Sequence, residues 1–147
     1  MALSEEENRT QIVADLNCLA RLAALEKAWE SRKTAVHMAE LYRYRGKRKG
    51  EPVELSSELR AVELYLRLVN PRSGKNCSWE FHSKRFESVM VPRGELLDQV
   101  EESVIRCLDR DEEFCIHMKA VAKGANCVIS MSVEPGEEKT IRMYYPL

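Results

Sequence analysis

The sequence predicts an α+β chain: an N-terminal helical hairpin over residues 1–50, then an α/β sandwich with a mostly antiparallel sheet over residues 51–147. Three observations carry this. Before Gly50-Glu51-Pro52 the apolar residues recur only at helical spacing. Beyond it, helical stretches take turns with strictly alternating ones. The last three alternating stretches are joined by short glycine-bearing turns, the mark of antiparallel neighbours.

Ser4 with Glu7 three residues on has the form of a capping box that opens the first helix. Ile12, Leu16, Leu19 and Ala23 follow at helical spacing, and Leu22, Leu25 and Trp29 widen the stripe. A second helical stretch runs from about Ser31 to Arg45, with Val36, Ala39 and Tyr42 on one face. The turn between them is placed near Glu26 to Ser31. No Gly or Pro marks it, so one continuous helix satisfies the same pattern. Two such helices cannot bury their faces alone, and pairing with a second copy into a four-helix bundle would bury them. The stripe Ile12, Leu16, Leu19 and Ala23 is therefore the expected dimer interface.

In the second half, Leu55-Ser56-Ser57-Glu58 starts a helix whose face is Leu55, Leu59, Val62, Leu66 and Val69, expected to end at Asn70-Pro71-Arg72-Ser73-Gly74. Cys77 to Ser83 alternates as a strand, and Phe86 to Val91 is a candidate short one. Pro92 is expected to lead a helix through Leu96, Leu97, Val100, Val104 and Leu108. Phe114, Ile116, Met118 and Ala120 then alternate, Lys123-Gly124 turns, and Cys127, Ile129, Met131 and Val133 alternate again. Pro135-Gly136 turns the chain into Ile141, Met143 and Tyr145. The order predicts a two-layer sandwich with helices on one face of the sheet.

Composition narrows the function classes. Charged residues are 32% and hydrophobic ones 44% of the 147, a globular balance. The net charge of −1 and the lack of a nucleic-acid-binding motif argue against a nucleic-acid partner. No apolar run approaches the roughly 20 residues of a membrane span. The acidic N-terminus lacks the order of an export signal. Cys18, Cys77, Cys107, Cys115 and Cys127 are an odd set without C-x-x-C spacing, so reduced thiols and a cytoplasmic location are expected.

Few residues offer chemistry. No His/Cys/Asp set has zinc spacing. Glu101 and Glu102 are adjacent on a helix and diverge by about 100°, so they do not converge on one site. His82 and His117 fall opposite the apolar sets of their strands. His37, with Glu40 one turn along, is the one alternative phosphoacceptor. The strongest local signal is basic: Arg43, Arg45, Lys47, Arg48 and Lys49 lie within seven residues, with Tyr42 and Tyr44 interleaved. A hydrated helix terminus accounts for them through the helix dipole; an acidic protein partner is the functional reading.

The order of several segments resembles a known family. Met38-Ala39-Glu40-Leu41-Tyr42-Arg43-Tyr44 is similar to the end of the second dimerisation helix of LytS/YesM-type sensor histidine kinases. Val53-Glu54-Leu55-Ser56-Ser57-Glu58-Leu59, then Val62, Tyr65 and Leu66, resembles the element that follows there, roughly L-x-x-E-L-x-x-V-x-x-Y-L. Val91-Pro92, Leu96-Leu97 and Val100-Glu101 resemble the proline-led helix with the V-E-N-A motif. The resemblance implies a reduced histidine-kinase-ATPase-like sandwich behind the hairpin. In outline the chain is also similar to sporulation phosphotransferase B-type proteins.

The chemistry-bearing positions depart from that pattern. Where the family has its phosphoacceptor His, this chain has Thr10, and the nearby Asn is Ala14. A threonine phosphate is a stable ester, so phosphoryl relay through Thr10 does not follow. Glu102 stands where the family's Asn holds Mg²⁺. Glu134-Pro135-Gly136 stands where the D-x-G motif belongs, and the glycine-rich lid has no counterpart. The expectation is a non-catalytic module that needs no cofactor, forms a homodimer and binds a response-regulator receiver domain or a sensor kinase. The alternative is a histidine phosphotransferase through His37, or a divergent ATP-binding sensor kinase.

Overall fold

The computed structural model describes residues 4–26, 28–73, 77–110, 113–134 and 140–147, with 70–73 described as backbone. The chain forms two compact units, Met1–Lys49 and Gly50–Leu147.

The first unit is a hairpin of α1 (Glu5–Leu25) and α2 (Trp29–Gly46). The start of α1 is set locally. The Ser4 hydroxyl accepts from the Glu7 N–H at 3.1 Å, and the Glu7 carboxylate accepts from the Ser4 N–H at 2.8 Å. These bonds hold the Glu7 carboxyl below its usual pKa, the backbone bond first. The turn comes at Glu26–Ala28, where the Ala28 N–H returns to the Ala23 carbonyl at 2.7 Å. The helices meet over small residues: Leu16, Ala20 and Ala23 of α1 are buried, as are Ala35, Ala39 and Leu41 of α2. At the open end the Arg9 guanidinium donates to the Arg45 carbonyl and pairs with Glu5 at 2.9 Å.

Two expected faces change here. Leu16 and Ala23 are buried and Ile12 half-buried, but Leu19 is 55% exposed, so the four do not form one outward stripe. On α2 the buried position is Ala35, while Val36 is 40% exposed. The reason is rotational: at about 100° per residue, the Ala35–Ala39 row turns toward α1 and carries Val36 off the seam.

The second unit begins with β1 (Pro52–Glu54), which pairs antiparallel with β3 (Met90–Pro92) so that Val53 faces Val91. Between them lie α3 (Leu55–Ser73), β2 (Cys77–His82) and a 3-10 turn over Lys84–Phe86. Then come α4 (Glu95–Asp109), β4 (Phe114–Lys123), β5 (Asn126–Glu134) and β6 (Ile141–Pro146). The main sheet has the order β2-β4-β5-β6; β2 runs parallel to β4 and the other neighbours are antiparallel. The architecture is thus α+β, with N-terminal helices and a mixed, largely antiparallel sheet.

The core follows the two periodicities. Leu55, Leu59, Val62, Leu66 and Val69 of α3 are buried, as are Leu96, Leu97, Val100, Val104 and Cys107 of α4. Against them stand Phe114, Ile116, Met118 and Ala120 of β4 and Cys127, Ile129, Met131 and Val133 of β5. Each fully buried aliphatic side chain contributes roughly 1.5–3 kcal/mol. The alternate residues form a polar face that includes Glu80, His117, Ser132 and Arg142. Lys123-Gly124 forms the expected turn, Gly124 taking φ 61°. The Pro135-Gly136 turn lies outside the described residues.

Two expectations in this unit are corrected. Pro92 does not lead α4: it ends β3, and the helix starts after Gly94, whose φ of 88° reverses the chain. Phe86 to Val91 is not a continuous strand, because hydrogen bonds from Phe86 N–H to Ser83 and from Val89 N–H to Phe86 curl it into tight turns. Helix α3 ends at Ser73, inside the stretch expected to end it. Among the described residues, no helix is long and apolar enough to cross a membrane.

Candidate functional site

The basic cluster is split by the end of α2. Arg43 is exposed on the helix, Arg45 is half-buried one residue from its end, and Lys47, Arg48 and Lys49 follow the helix, all exposed. The cations therefore do not share one face. Arg43 and Lys47 border a groove of about 260 Å³ with Tyr42 and Gly46. Its other wall is α1, which contributes Glu6, Arg9, Thr10 and Val13. Arg9 shapes this wall, since its guanidinium is drawn across to the Arg45 carbonyl and holds the two helix ends together.

This geometry joins two separate parts of the sequence. Thr10 lies in the same groove as Arg43 and Lys47. Its hydroxyl donates to the Glu6 carbonyl at 3.0 Å, the usual back-bond of a helical threonine. No imidazole lines this groove, and a threonine hydroxyl with its proton held by a carbonyl is a poor nucleophile. The groove offers cations, a phenol and a hydroxyl, which suits a carboxylate-bearing surface. His37 is half-buried midway along α2 and is not part of the groove. Ala14 is exposed on α1.

Glu101 and Glu102 lie on α4. Val100 and Ser103 are buried, Glu101 is half-buried and Glu102 is exposed, so the two carboxylates diverge as the helical period requires. The Glu134-Pro135-Gly136 segment lies mostly outside the described residues. Among the described residues, no group of three or more His, Cys, Asp or Glu side chains is arranged to hold a metal ion.

Sequence reasoning missed Glu58. Its side chain is completely buried, yet it is ionisable. One carboxylate oxygen accepts from the Gly94 N–H at 2.8 Å and the other from the Leu97 N–H at 3.1 Å. A residue of α3 thus caps the N-terminus of α4, where N–H groups lack helical partners and the dipole favours an anion. A signal was present. Glu58 stands three residues after Leu55 and four before Val62, inside the apolar stripe where a solvated glutamate has no place. Tyr145 is also buried, and burial pushes its phenol pKa up, with the Glu95 and Glu58 charges adding to the shift. Glu95 influences the phenol, but the Tyr145 hydroxyl makes no well-formed hydrogen bond among the described residues.

His117 is half-buried on the open sheet face, its Nδ1 3.4 Å from Glu80 and its Nε2 3.5 Å from Glu134; His82 is exposed 3.9 Å from Glu80. Of the cysteines, Cys77, Cys107 and Cys127 are buried, Cys115 is half-buried and Cys18 is exposed. Burial pushes the Cys77 thiol up to about 12, with Cys115 and Cys107 adding to it. Such a thiol is not a ready nucleophile.

A scan against protein-family models and a search of curated proteins each return no match to this chain.

Proposed function

We propose that this chain is a non-catalytic signalling module of the histidine-kinase-core kind. It dimerises through its hairpin and docks an acidic partner, such as a receiver domain or a sensor kinase, at the basic end of α2. The observation that carries this reading is the outer flank of α1. Leu19 is 55% and Leu22 51% exposed, while the seam between α1 and α2 is made largely of alanines. A hairpin that spends its small residues inside and keeps leucines outside is built to pack against another helix pair. The order of α3, β2, α4 and three further strands is compatible with a reduced ATPase-like sandwich. Thr10 and Glu102 at the positions of the acceptor and the Mg²⁺ residue support a role without phosphoryl chemistry. The groove between Thr10, Arg43 and Lys47 is where a carboxylate-rich surface would dock.

The test is a Leu19→Glu, Leu22→Glu double variant in light scattering. Wild type is expected at twice the 17.0 kDa of one chain and the variant at the mass of one chain. A variant that runs at the same mass as wild type places the interface elsewhere.

A further inference from the structure

Near the turn of the hairpin, away from the basic groove, α1 and α2 enclose a second groove of about 660 Å³. Asn17, Ala20, Ala24 and the exposed Leu25 from α1 and Val36 from α2 line it, with Arg21 and Arg32 as its cations. The α1 residues of the two grooves are centred roughly 18 Å apart along the helix. We propose that this second groove takes an amphipathic helix of a partner protein that carries acidic residues on both sides of its apolar face.

Three features lead to that occupant. The small side chains of Ala20 and Ala24 allow another helix backbone to come close, and a groove between antiparallel helices fits the ridge of a third. Val36 is 40% exposed, an apolar surface of the kind that receives anchors spaced three and four residues apart. Arg21 comes from one helix and Arg32 from the other, both exposed, so cations approach from both walls. Carboxylates flanking the apolar stripe of an incoming helix complement that arrangement, and charges at such a rim govern association rate and partner choice.

A second copy of this chain is the poorer occupant. Around a twofold axis, Arg21 and Arg32 would face the same two arginines, and like charges across an interface are unfavourable. The flank assigned to self-association lies elsewhere on α1. Leu19 lies about 140° around the helix from Ala24 and about 100° from Ala20, while Leu22 lies about 60° from Leu25 at the groove's edge. The arginines and the Ala20–Ala24 floor thus face away from Leu19, and the inference does not depend on the dimer.

The probe is a fluorescent synthetic peptide of about four helical turns, with leucines on one face and glutamates on either side. A second peptide carries lysines in place of the glutamates. Fluorescence anisotropy with the full chain is expected to show the acidic peptide binding at least about tenfold more tightly than the basic one. The Arg21→Glu, Arg32→Glu variant is expected to reverse that order. Ala24→Trp, which fills the groove, is expected to abolish binding of the acidic peptide, while Lys47→Glu in the other groove leaves it unchanged. Circular dichroism checks that each variant keeps its helix content. Equal affinity for the two peptides, no binding of the acidic one, or no effect of the arginine reversal overturns the proposal. A drop in mass on Ala24→Trp in light scattering also overturns it, because the occupant would then be a second copy.

Discussion

At the scale of single residues, Glu58 shows how a buried charge organises a fold. Taking a carboxylate out of water is costly unless it is well hydrogen-bonded. Here two backbone N–H groups at the start of α4 supply the bonds, at 2.8 and 3.1 Å. Glu58→Ala leaves those donors buried without an acceptor and opens a small cavity. It is expected to lower stability by roughly 2–4 kcal/mol, read as a lower urea midpoint. Glu58→Gln, which keeps one acceptor oxygen, is expected to lose less. A Glu58→Ala chain with the wild-type midpoint would show that the cap does not hold α4.

The buried thiol and phenol set a second residue-scale expectation. Cys77 ionises near 9.0 when unfolded but keeps its proton up to about 12 in the fold. Above 9 the unfolded chain therefore binds fewer protons than the native one, so stability falls as pH rises through that window. Tyr145, also shifted up, adds to the fall above its ordinary value of 10.0. The urea midpoint is expected to drop between about pH 9 and pH 12, and less so in Cys77→Ser. A midpoint that does not move would mean that these groups are solvated.

At the scale of elements, periodicity located the helices well and their inner faces less well. The strands β4 and β5 bury the alternate residues expected of them, because a strand has only two faces and one must be apolar. Helix α4 is similarly legible: Leu96, Leu97, Val100 and Val104 are all buried. The hairpin is harder because α1 carries apolar residues over more than half its circumference. Leu16 and Leu19 lie only about 60° apart around the helix, and nothing local says which one faces α2. The structure puts Leu16 inside and Leu19 outside. The two positions should therefore respond differently to Glu. A charge at Leu19 and Leu22 is expected to separate copies and leave helix content intact, while the same change at Leu16 strikes the seam and lowers helix content by circular dichroism. The capping box was readable because all of its atoms lie within four residues.

At the scale of the whole molecule, the proposed lack of chemistry has its own test. Glu102 adds a negative charge where the resembling family places a neutral Asn beside a triphosphate. Only six residues separate Glu134 from Ile141, too few for a lid. Titration calorimetry with Mg-ATP is expected to give no binding heat, and a micromolar dissociation constant would sink the non-catalytic reading. What the sequence by itself determined is local: the α+β class, the helical first third, the alternation of the late strands, the Ser4 cap and the basic run after Tyr42. Those features are set by spacing within one or two turns of chain. Tertiary structure alone decided that β1 pairs with β3, that β2 lies parallel to β4, and that Thr10 shares a groove with Arg43 and Lys47. It alone set Glu58 against α4. The Glu58 bonds join residues 36 and 39 positions apart, and no periodicity reaches that far. Such contacts are selected by the collective burial of the core, which brings distant polar groups together and then requires each of them to find a partner.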